Sequence, residues 1–370
     1  MDEITKESNL DKRITEAMHR IEELYNETDG KCYVSFSGGK DSTVLLALIK
    51  MCEDILTIPP NGIPAVFSNT GIELGVTVDF VKWCKENWYP NIQIIRPEVS
   101  FDWVMKNEGK PLKSKLKSEY IERWHNGNRS RSVYQNLIAG RSNSGGKIWK
   151  IKLADSDMHM IHDDFPIKVS KKCCDYLKKK PFKEYAIKEH MKGQMTGLRM
   201  GEGGARELNI EGRNASGNGK LCTTVDKRGF IKKTPIIDWD DNDVDAFIEM
   251  QNVPLSDAYT KYGFHRTGCM ACPYSYKFLP SYLEYLYYHE PNRYKASMHW
   301  LKDVYIAQNV VLPFDKAYER ERERMWRDVY EPMRQEMLRK YRPHSRLIKE
   351  GEQTTIFDFL EEGDTENDRN

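Results

Sequence analysis

A short apolar segment that runs into a glycine-rich loop and then a helix constrains this chain more than any other feature. The segment reads Lys31-Cys-Tyr-Val-Ser-Phe-Ser-Gly-Gly-Lys-Asp-Ser-Thr43, and the apolar residues 43–49 after it predict a helix. Glycines have no Cβ, so consecutive backbone N–H groups can turn toward one anion, and the N-terminus of the following helix adds partial positive charge. We therefore predict a phosphate-binding loop at this strand-to-helix junction.

The polar side chains of the loop suit the same ligand. Lys40 supplies a full positive charge, and the hydroxyls of Ser37 and Ser42 can donate hydrogen bonds to phosphate oxygens. A Walker A loop needs four residues between its first glycine and its Gly-Lys pair, and this sequence does not have that spacing. The alternative interpretation is a glycine turn that only connects a strand to a helix.

The loop resembles the pyrophosphate loop, Ser-Gly-Gly-x-Asp-Ser, of the adenine-nucleotide alpha hydrolases. That superfamily includes ATP pyrophosphatases, which adenylate a substrate, and sulfonucleotide reductases. The resemblance implies an adenine nucleotide, ATP or a sulfonucleotide, with Lys40 stabilising the transferring group and Asp41 capping the helix or reaching the Mg²⁺ of ATP. The nucleotide-binding residues that it implies here are Ser35, Ser37, Gly38, Gly39, Lys40, Asp41 and Ser42.

Composition describes a soluble globular protein. The chain has 370 residues, of which 39% are hydrophobic and 31% charged, and its net charge of +1 gives no overall attraction to nucleic acid or membranes. Its N-terminus has no apolar signal sequence, and no run reaches transmembrane length, so we expect a cytoplasmic protein without a membrane partner. In a reducing cytosol, the eight cysteines favour metal ligands, redox groups or buried side chains over disulfides.

Strands that alternate with helices predict an α/β fold with a doubly wound, mainly parallel sheet. An amphipathic helix around Ile14 and Ile21 precedes the first strand, and further strands are predicted at 64–68, 92–96, 193–198 and 232–237, with a helix at 76–88. Ligands of such sheets bind at the carboxyl ends of the strands, where the glycine loop also lies.

The pattern breaks at 106–152, which we interpret as a basic, partly helical insertion within a first domain at 1–276. It can contact anions or nucleic acid, or it can be a solvated charged surface. A helical extension is predicted at 277–345 and an acidic flexible tail at 346–370. The basic residues of the insertion are Lys110, Lys113, Lys115, Lys117, Arg123, Arg129, Arg131, Arg141, Lys147, Lys150 and Lys152.

Four cysteines form two tight pairs, Cys173-Cys174 and Cys269-Met-Ala-Cys272. Adjacent cysteines cannot both point at a single zinc ion without strain, whereas the separate irons of a cubane cluster can accept neighbouring ligands. A [4Fe–4S] cluster is therefore predicted, with a zinc site and packed inert thiols as the alternatives. The remaining cysteines before residue 100 lie in apolar patterns and are assigned to the core; they are Cys32, Cys52 and Cys84.

This arrangement resembles the phosphoadenylylsulfate and adenylylsulfate reductases, in which such pairs bind a cluster beside the nucleotide. Lys178 stands where that family carries a lysine, and the resemblance covers about residues 31–276. A strand ending in Asn69-Thr70-Gly71 is similar to the family's Asp-Thr-Gly, with an amide in place of the acid. Gly197-Leu-Arg199 and a later Arg206 are similar to its arginine segment. The resemblance adds Asn69, Thr70, Gly197, Arg199 and Arg206 to the implied nucleotide-binding residues.

One departure from that family concerns its nucleophile. Sulfonucleotide reductases carry a catalytic cysteine in a C-terminal tail, and this chain has no cysteine after Cys272. Attack on a sulfonyl sulfur needs a thiolate. Cys222 is the candidate outside the predicted cluster and core, and its alternative interpretation is an ordinary buried thiol.

Two reactions therefore fit the sequence. In the favoured one, ATP adenylates an acceptor such as nucleic acid and releases pyrophosphate, and sulfur from a thiol or sulfur-donor protein is delivered through the cluster or a cysteine. In the alternative, a thiol reduces phosphoadenylyl or adenylyl sulfate to sulfite. A non-catalytic adaptor that senses nucleotide and cluster is the third hypothesis.

The C-terminal tail contains a short peptide that resembles those by which replication and repair proteins bind sliding clamps. Gln353 would be its polar anchor, and Ile356, Phe357 and Phe359 would fill an apolar pocket. The alternative is a tail that folds back on its own domain. A sliding clamp as partner would make nucleic acid the expected substrate.

Overall fold

The computed structural model describes residues 3–140, 151–200, 222–269, 271–276, 278–310, 312 and 319–345. Its centre is a six-stranded sheet of order β3-β2-β1-β4-β6-β5, in which β5 alone is antiparallel. The predicted doubly wound α/β fold is confirmed. The strands are β1 (Cys32–Ser35), β2 (Ala65–Ser68), β3 (Ile92–Ile95), β4 (Gly193–Thr196), β5 (Thr223–Val225) and β6 (Ile231–Lys233).

Helices cover both faces of the sheet. The α-helices are α1 (Glu3–Glu27), α2 (Lys40–Asp54), α3 (Gly75–Asn87), α4 (Phe101–Asn107), α5 (Lys115–His125), α6 (Arg131–Tyr134), α7 (Lys172–Cys174), α8 (Lys180–Lys188), α9 (Asp241–Met250), α10 (Asp257–Thr260), α11 (Leu279–His289), α12 (Pro291–Ala307), α13 (Glu319–Met325) and α14 (Glu331–Tyr341). Wider π-helical turns follow α6 (Gln135–Ala139), α7 (Asp175–Lys179) and α13 (Trp326–Tyr330).

Successive side chains of β1 point to opposite faces of the sheet and pack in different apolar clusters. Val34 packs with α1, α2, α3 and α9, whereas its neighbour Tyr33 packs with Val66 and with Ala186 of α8. Cys32, Cys52 and Cys84 are fully buried in the first of these clusters, as predicted. No helix of the described residues is long and apolar enough to cross a membrane.

A second apolar core lies beside the sheet and joins segments that are far apart in sequence. It packs Leu112 and Ile121 from the basic segment, Cys173 and Leu177 from the first cysteine pair, and Leu283 from α11. The described part of the basic segment and the C-terminal helices are thus attached to the cysteine segments by burial of apolar side chains.

Two predicted strands end earlier than expected, and the one predicted at 193–198 ends at Thr196. The segment predicted at 232–237 continues as a strand only to Lys233, because Pro235 has no N–H to donate and a turn follows.

Candidate functional site

The glycine loop lies at the carboxyl end of β1, and hydrogen bonds between its own residues hold its shape. Gly38 has a positive φ of 69°, and a Cβ there would lie 3.0 Å from Val81. The Ser37 and Ser42 hydroxyls lie 3.0 Å apart, and Ser42 Oγ donates to the Gly39 carbonyl at 2.8 Å. The N-cap of α2 is Gly39, without a side-chain cap, so Asp41 does not cap this helix.

Asp41 instead belongs to an ion-pair network with a partner from another element. Arg199 Nε donates to Asp41 Oδ1 at 2.8 Å, and Arg199 Nη2 donates to Asp241 Oδ1 at 2.7 Å. The same Asp241 oxygen accepts from Lys40 Nζ at 3.3 Å. Partial burial raises the pKa of Asp241, but Arg199 and Lys40 outweigh burial and lower this pKa to about 2. The carboxylate of Asp241 therefore stays charged beside the loop.

The segment 259–267 closes the other side of the loop. Tyr259 is buried, and its hydroxyl accepts from the backbone N–H groups of Lys40 (3.2 Å) and Thr267 (3.3 Å). A Cβ on Gly39 would lie 2.8 Å from Thr267 Oγ1. Sequence reasoning missed Asp241, Tyr259 and Thr267, because they follow the loop by more than 200 residues and belong to no motif that carries phosphate chemistry.

Three of the residues proposed to bind the nucleotide make intramolecular contacts around the loop. Asn69 Oδ1 accepts from the Gly71 N–H at 3.1 Å, which forms a local turn after β2. Ser35 Oγ accepts from Gln194 Nε2 at 2.6 Å. At Gly197, a Cβ would lie 2.8 Å from the Asp41 carbonyl, so this glycine lets the chain after β4 pack on α2.

The four paired cysteines, Cys173, Cys174, Cys269 and Cys272, line one small cavity. Ala271, between the second pair, adopts a left-handed backbone with φ of 51°, and its carbonyl accepts from the buried Tyr305 hydroxyl of α12 at 2.6 Å. Donation from Cys173 raises its own pKa and lowers that of Cys174, and burial raises the pKa of Cys272 to about 11. Packing thus brings thiols from two distant segments together.

An ion pair links this cavity to the end of β2. Glu73 is 4% exposed and accepts a hydrogen bond from the Thr70 hydroxyl at 3.1 Å. Thr70, which was predicted to bind the nucleotide, thus donates to a carboxylate of its own chain. Lys178 Nζ lies 3.2 Å from Glu73 Oε1, and Cys269 Sγ lies 3.7 Å from the same oxygen. Burial lowers the pKa of Lys178, but Cys269 and Glu73 raise it by more, so it remains an ammonium.

The four thiols match the number of donors that a cubane cluster takes, one thiolate on each of its four irons. Within the described residues, no group of three or more His, Cys, Asp or Glu side chains is arranged to hold a single metal ion. The cavity also adjoins the loop, since Thr267 contacts Gly39 and stands two residues before Cys269.

Cys222 lies in a different environment. It is 9% exposed and packs with Ile237 and Met200, and its sulfur is 3.6 Å from the Thr223 hydroxyl. Its backbone carbonyl accepts from the Thr234 N–H at the sheet edge.

Several cations of the basic segment have carboxylate partners from other segments. Lys110 lies 2.7 Å from Asp303, Lys113 lies 2.7 Å from Asp157, and Arg129 lies 3.5 Å from Asp163. These pairs neutralise part of the predicted positive patch. Residues 141–150 of this segment lie outside the described residues, as do Arg206 and the clamp-like residues Gln353, Ile356, Phe357 and Phe359.

Three solved structures match over more than half of the chain, at low identity. Phosphoadenylyl-sulfate reductase from Candida auris is 15% identical with a TM-score of 0.34, covering 61% of this chain and 75% of that chain. The U34-tRNA thiolase NcsA from Methanococcus maripaludis, solved with its [4Fe-4S] cluster, is 16% identical with a TM-score of 0.35, covering 82% of each chain. FMN adenylyltransferase from Candida glabrata in complex with ATP is 12% identical with a TM-score of 0.40, covering 71% and 62%.

Among curated proteins, an uncharacterized protein of Methanocaldococcus jannaschii is 26% identical over 271 residues, which is 71% of this chain. The chain spans about half of that relative, 47% of its length. The model of the phosphoadenosine phosphosulfate reductase domain matches residues 31–275, well over half of the chain. The match begins one residue before β1 and ends just after the second cysteine pair, so the chain belongs to the phosphoadenosine phosphosulfate reductase domain family.

Proposed function

We propose that this protein binds ATP, adenylates an acceptor and exchanges the activated oxygen for sulfur. The observation that carries the proposal is the pairing of two neighbouring features. A loop suited to phosphate lies at the carboxyl end of β1, and a cavity lined by four thiols begins two residues beyond Thr267, which contacts that loop. Nucleotide activation and sulfur chemistry can then share one site.

The loop and its network would hold the phosphates of ATP. Backbone N–H groups at the start of α2 and the Lys40 ammonium are suited to a polyphosphate, and the carboxylates of Asp41 and Asp241 are the oxygen ligands that Mg²⁺ takes. A groove of 1040 Å³ runs from this edge along the sheet and is lined by Ser35, Gln194 and Thr196, among others. It is large enough for the nucleoside.

The chain's own groups would act on the first step by stabilising charge. An acceptor oxygen attacks the α-phosphorus, the bond to the bridging oxygen breaks, and pyrophosphate leaves with the electron pair. Lys40 and the loop N–H groups would face the negative charge that develops on the phosphoryl oxygens. In the second step, a sulfur at the oxidation level of sulfide attacks the acceptor carbon that carries the adenylated oxygen. The bond between this carbon and the oxygen breaks, and AMP leaves with the oxygen. No net oxidation occurs.

Cys173, Cys174, Cys269 and Cys272 would hold the cluster, and Lys178 would face it as a cation. With one thiolate on each iron, a bound [4Fe–4S] cluster would tune the electrostatics of the site beside the nucleotide, and the attacking sulfur would come from sulfide or from a sulfur-donor protein. Glu73 would keep the Lys178 ammonium oriented toward the cavity, since it accepts from both Thr70 and Lys178.

Sulfonucleotide reduction is the second candidate, because the family name is that of such an enzyme. It requires a thiolate that reaches a sulfonyl sulfur. Cys222 is 9% exposed, packs against Ile237 and Met200, and lines a cavity with Arg20 and Asp238 that contains no residue of the phosphate loop. This separation from the loop supports the adenylating reaction over reduction. It does not bear on the third hypothesis, a non-catalytic adaptor.

The test is a side-by-side assay of anaerobically purified protein. One arm supplies ATP, Mg²⁺, sulfide and either bulk tRNA or sheared genomic DNA, and measures AMP, pyrophosphate and thiolated nucleic acid. The other supplies adenylyl or phosphoadenylyl sulfate with reduced thioredoxin and measures sulfite. We expect pyrophosphate release that depends on nucleic acid. Sulfite release together with an S-sulfo adduct on Cys222, lost in Cys222→Ser, would instead establish reduction. If neither pyrophosphate nor sulfite is released, the result would favour the non-catalytic adaptor.

A sliding clamp would bring the enzyme to nucleic acid. This part of the proposal rests on the sequence of the tail, in which Gln353, Ile356 and Phe359 have the spacing of a clamp-binding peptide. A synthetic peptide of this tail should bind a purified clamp, and Phe359→Ala should abolish the binding.

A further inference from the structure

An aromatic pocket next to the phosphate loop has no role in the reaction as described so far. Its volume is 220 Å³, and its walls come from the segment 262–265, from α11 and from the C-terminal helices around Trp326 and Tyr330. Pockets that take a drug-sized ligand whole measure roughly 300–1,000 Å³, so this one suits a single planar group.

The pocket and the loop share one wall. Tyr259 and Thr267, at the two ends of the segment 259–267, both lie against the loop, and residues 262–265 between them line the pocket. His265 stacks on Phe278 with ring centroids 5.4 Å apart, and partial burial and the Lys40 ammonium lower its pKa. A group held in the pocket would therefore lie beside the phosphates on the loop.

The lining of the pocket combines aromatic rings with polar side chains. Tyr262 and Tyr285 meet edge-to-face with centroids 4.7 Å apart, and Trp326 and Tyr330 lie 5.9 Å apart. Glu284 and Arg334 add a carboxylate and a guanidinium to the lining, and the guanidinium also pairs with Glu331 at 3.2 Å. Aromatic rings stack on bases of any identity, and carboxylate and guanidinium groups hydrogen-bond base edges.

We propose that this pocket takes one unstacked base of the nucleic-acid acceptor and presents it to the α-phosphate of ATP. The inference rests on the proposed function for the identity of the reaction. Enzymes that modify a base must take it out of the stack, and a pocket for one planar group beside the loop meets that need. The base of ATP itself is assigned to the larger groove along Ser35 and Thr196.

The test measures binding by the full-length protein without turnover. Tyr288→Ala and Trp326→Ala remove two lining rings, and Tyr288 is 58% exposed, so its loss leaves the core intact. Tyr134→Ala is the matched control, because Tyr134 of α6 is a similarly exposed tyrosine, at 50%, and does not line the pocket. Affinity for fluorescein-labelled, mixed-sequence single-stranded RNA and DNA is read by anisotropy, and affinity for ATP by calorimetry.

Each alanine change in the pocket should weaken oligonucleotide binding about tenfold, since stacking contributes about 1–3 kcal/mol per base. Tyr288→Phe and Trp326→Phe should restore it, and the affinity for ATP should not change. The inference is overturned if the alanine variants bind oligonucleotides like the unaltered protein, if the unaltered protein binds none, or if ATP binding weakens instead.

Failure here is distinguishable from failure of the proposed function. If the pocket variants keep full oligonucleotide affinity while nucleic acid still stimulates pyrophosphate release, the reaction stands and the pocket assignment falls. If the variants lose oligonucleotide affinity but no pyrophosphate is released, the pocket stands as a base-binding site and the reaction falls.

Discussion

The phosphate loop and the cysteine cavity are neighbours, but they are built in opposite ways. Most of the loop's geometry comes from six consecutive residues, whose bonds run from Ser37 to Ser42 and from Ser42 to Gly39. The cavity draws on α7, on the second cysteine pair and on α12, whose Tyr305 holds the Ala271 carbonyl. The loop should therefore respond to changes in its own residues, and the cavity to changes anywhere in the second core.

The largest expected effect is loss of the metal cluster. Anaerobically purified protein should contain about four irons per chain, and Cys272→Ser should remove them, because each iron needs one thiolate. Cys222→Ser is the matched control, since that cysteine lies outside the cavity, and it should keep the iron. Iron and sulfide analysis measures the result, and stoichiometric zinc with negligible iron in the unaltered protein would refute the cluster.

The second prediction concerns the loop. Lys40→Ala removes its cation, and Gly39→Val forces a branched side chain against Thr267, so each should weaken ATP binding at least about tenfold, or 1.4 kcal/mol. Lys50→Ala, at the other end of α2, is the control and should bind ATP normally. Calorimetry measures the affinities. Normal binding by both loop variants, with iron content unchanged, would mean that the loop is only a turn.

Much of the fold was predictable because its signals are local. β1, the glycine loop and α2 follow from one stretch of sequence, and the doubly wound sheet follows from alternation of strands and helices. The chemistry of Asp41 was not predictable in the same way. Arg199 holds this carboxylate as an ion pair, and no local pattern reveals a bond between residues 158 positions apart.

The aromatic pocket shows the same limit more strongly. The tyrosines of α11 lie in the helical extension predicted at 277–345. Spacing along a helix does not indicate which of their rings will meet Tyr262 or Phe264. The second core also joins segments more than 100 residues apart, such as those of Cys173 and Leu283, and the Tyr274 hydroxyl donates to Ser118 Oγ across 156 positions. Such contacts arise from packing rather than from local propensity.

The third prediction compares the stability contribution of the ion pair at the cavity with that of an exposed pair on α3. Glu73→Gln removes the buried carboxylate that pairs with Lys178, and it should lower the free energy of unfolding by about 2 kcal/mol. This is less than the cost of breaking a fully buried pair, because the Lys178 side chain is partly exposed. Asp79→Asn, which breaks an exposed pair with Lys82 on α3, should change it by less than about 0.5 kcal/mol. Urea unfolding of preparations with equal iron content measures both. Equal effects would contradict the distinction.

The smallest effect is expected at Asp241, whose side chain is 70% exposed. In the free protein its carboxylate offsets the charge of Lys40 and Arg199, so Asp241→Asn should strengthen binding of ATP without Mg²⁺ by about twofold to threefold, the range of an exposed ion pair. With Mg²⁺ the change should reverse, because the variant loses a ligand for the metal. The pKa of Asp241 is about 2, well below that of an ordinary aspartate, so the carboxylate is charged across the neutral range and both effects should be independent of pH there. A gain in affinity that is the same with and without Mg²⁺ would show that Asp241 only screens the loop, and that the metal is held by other groups.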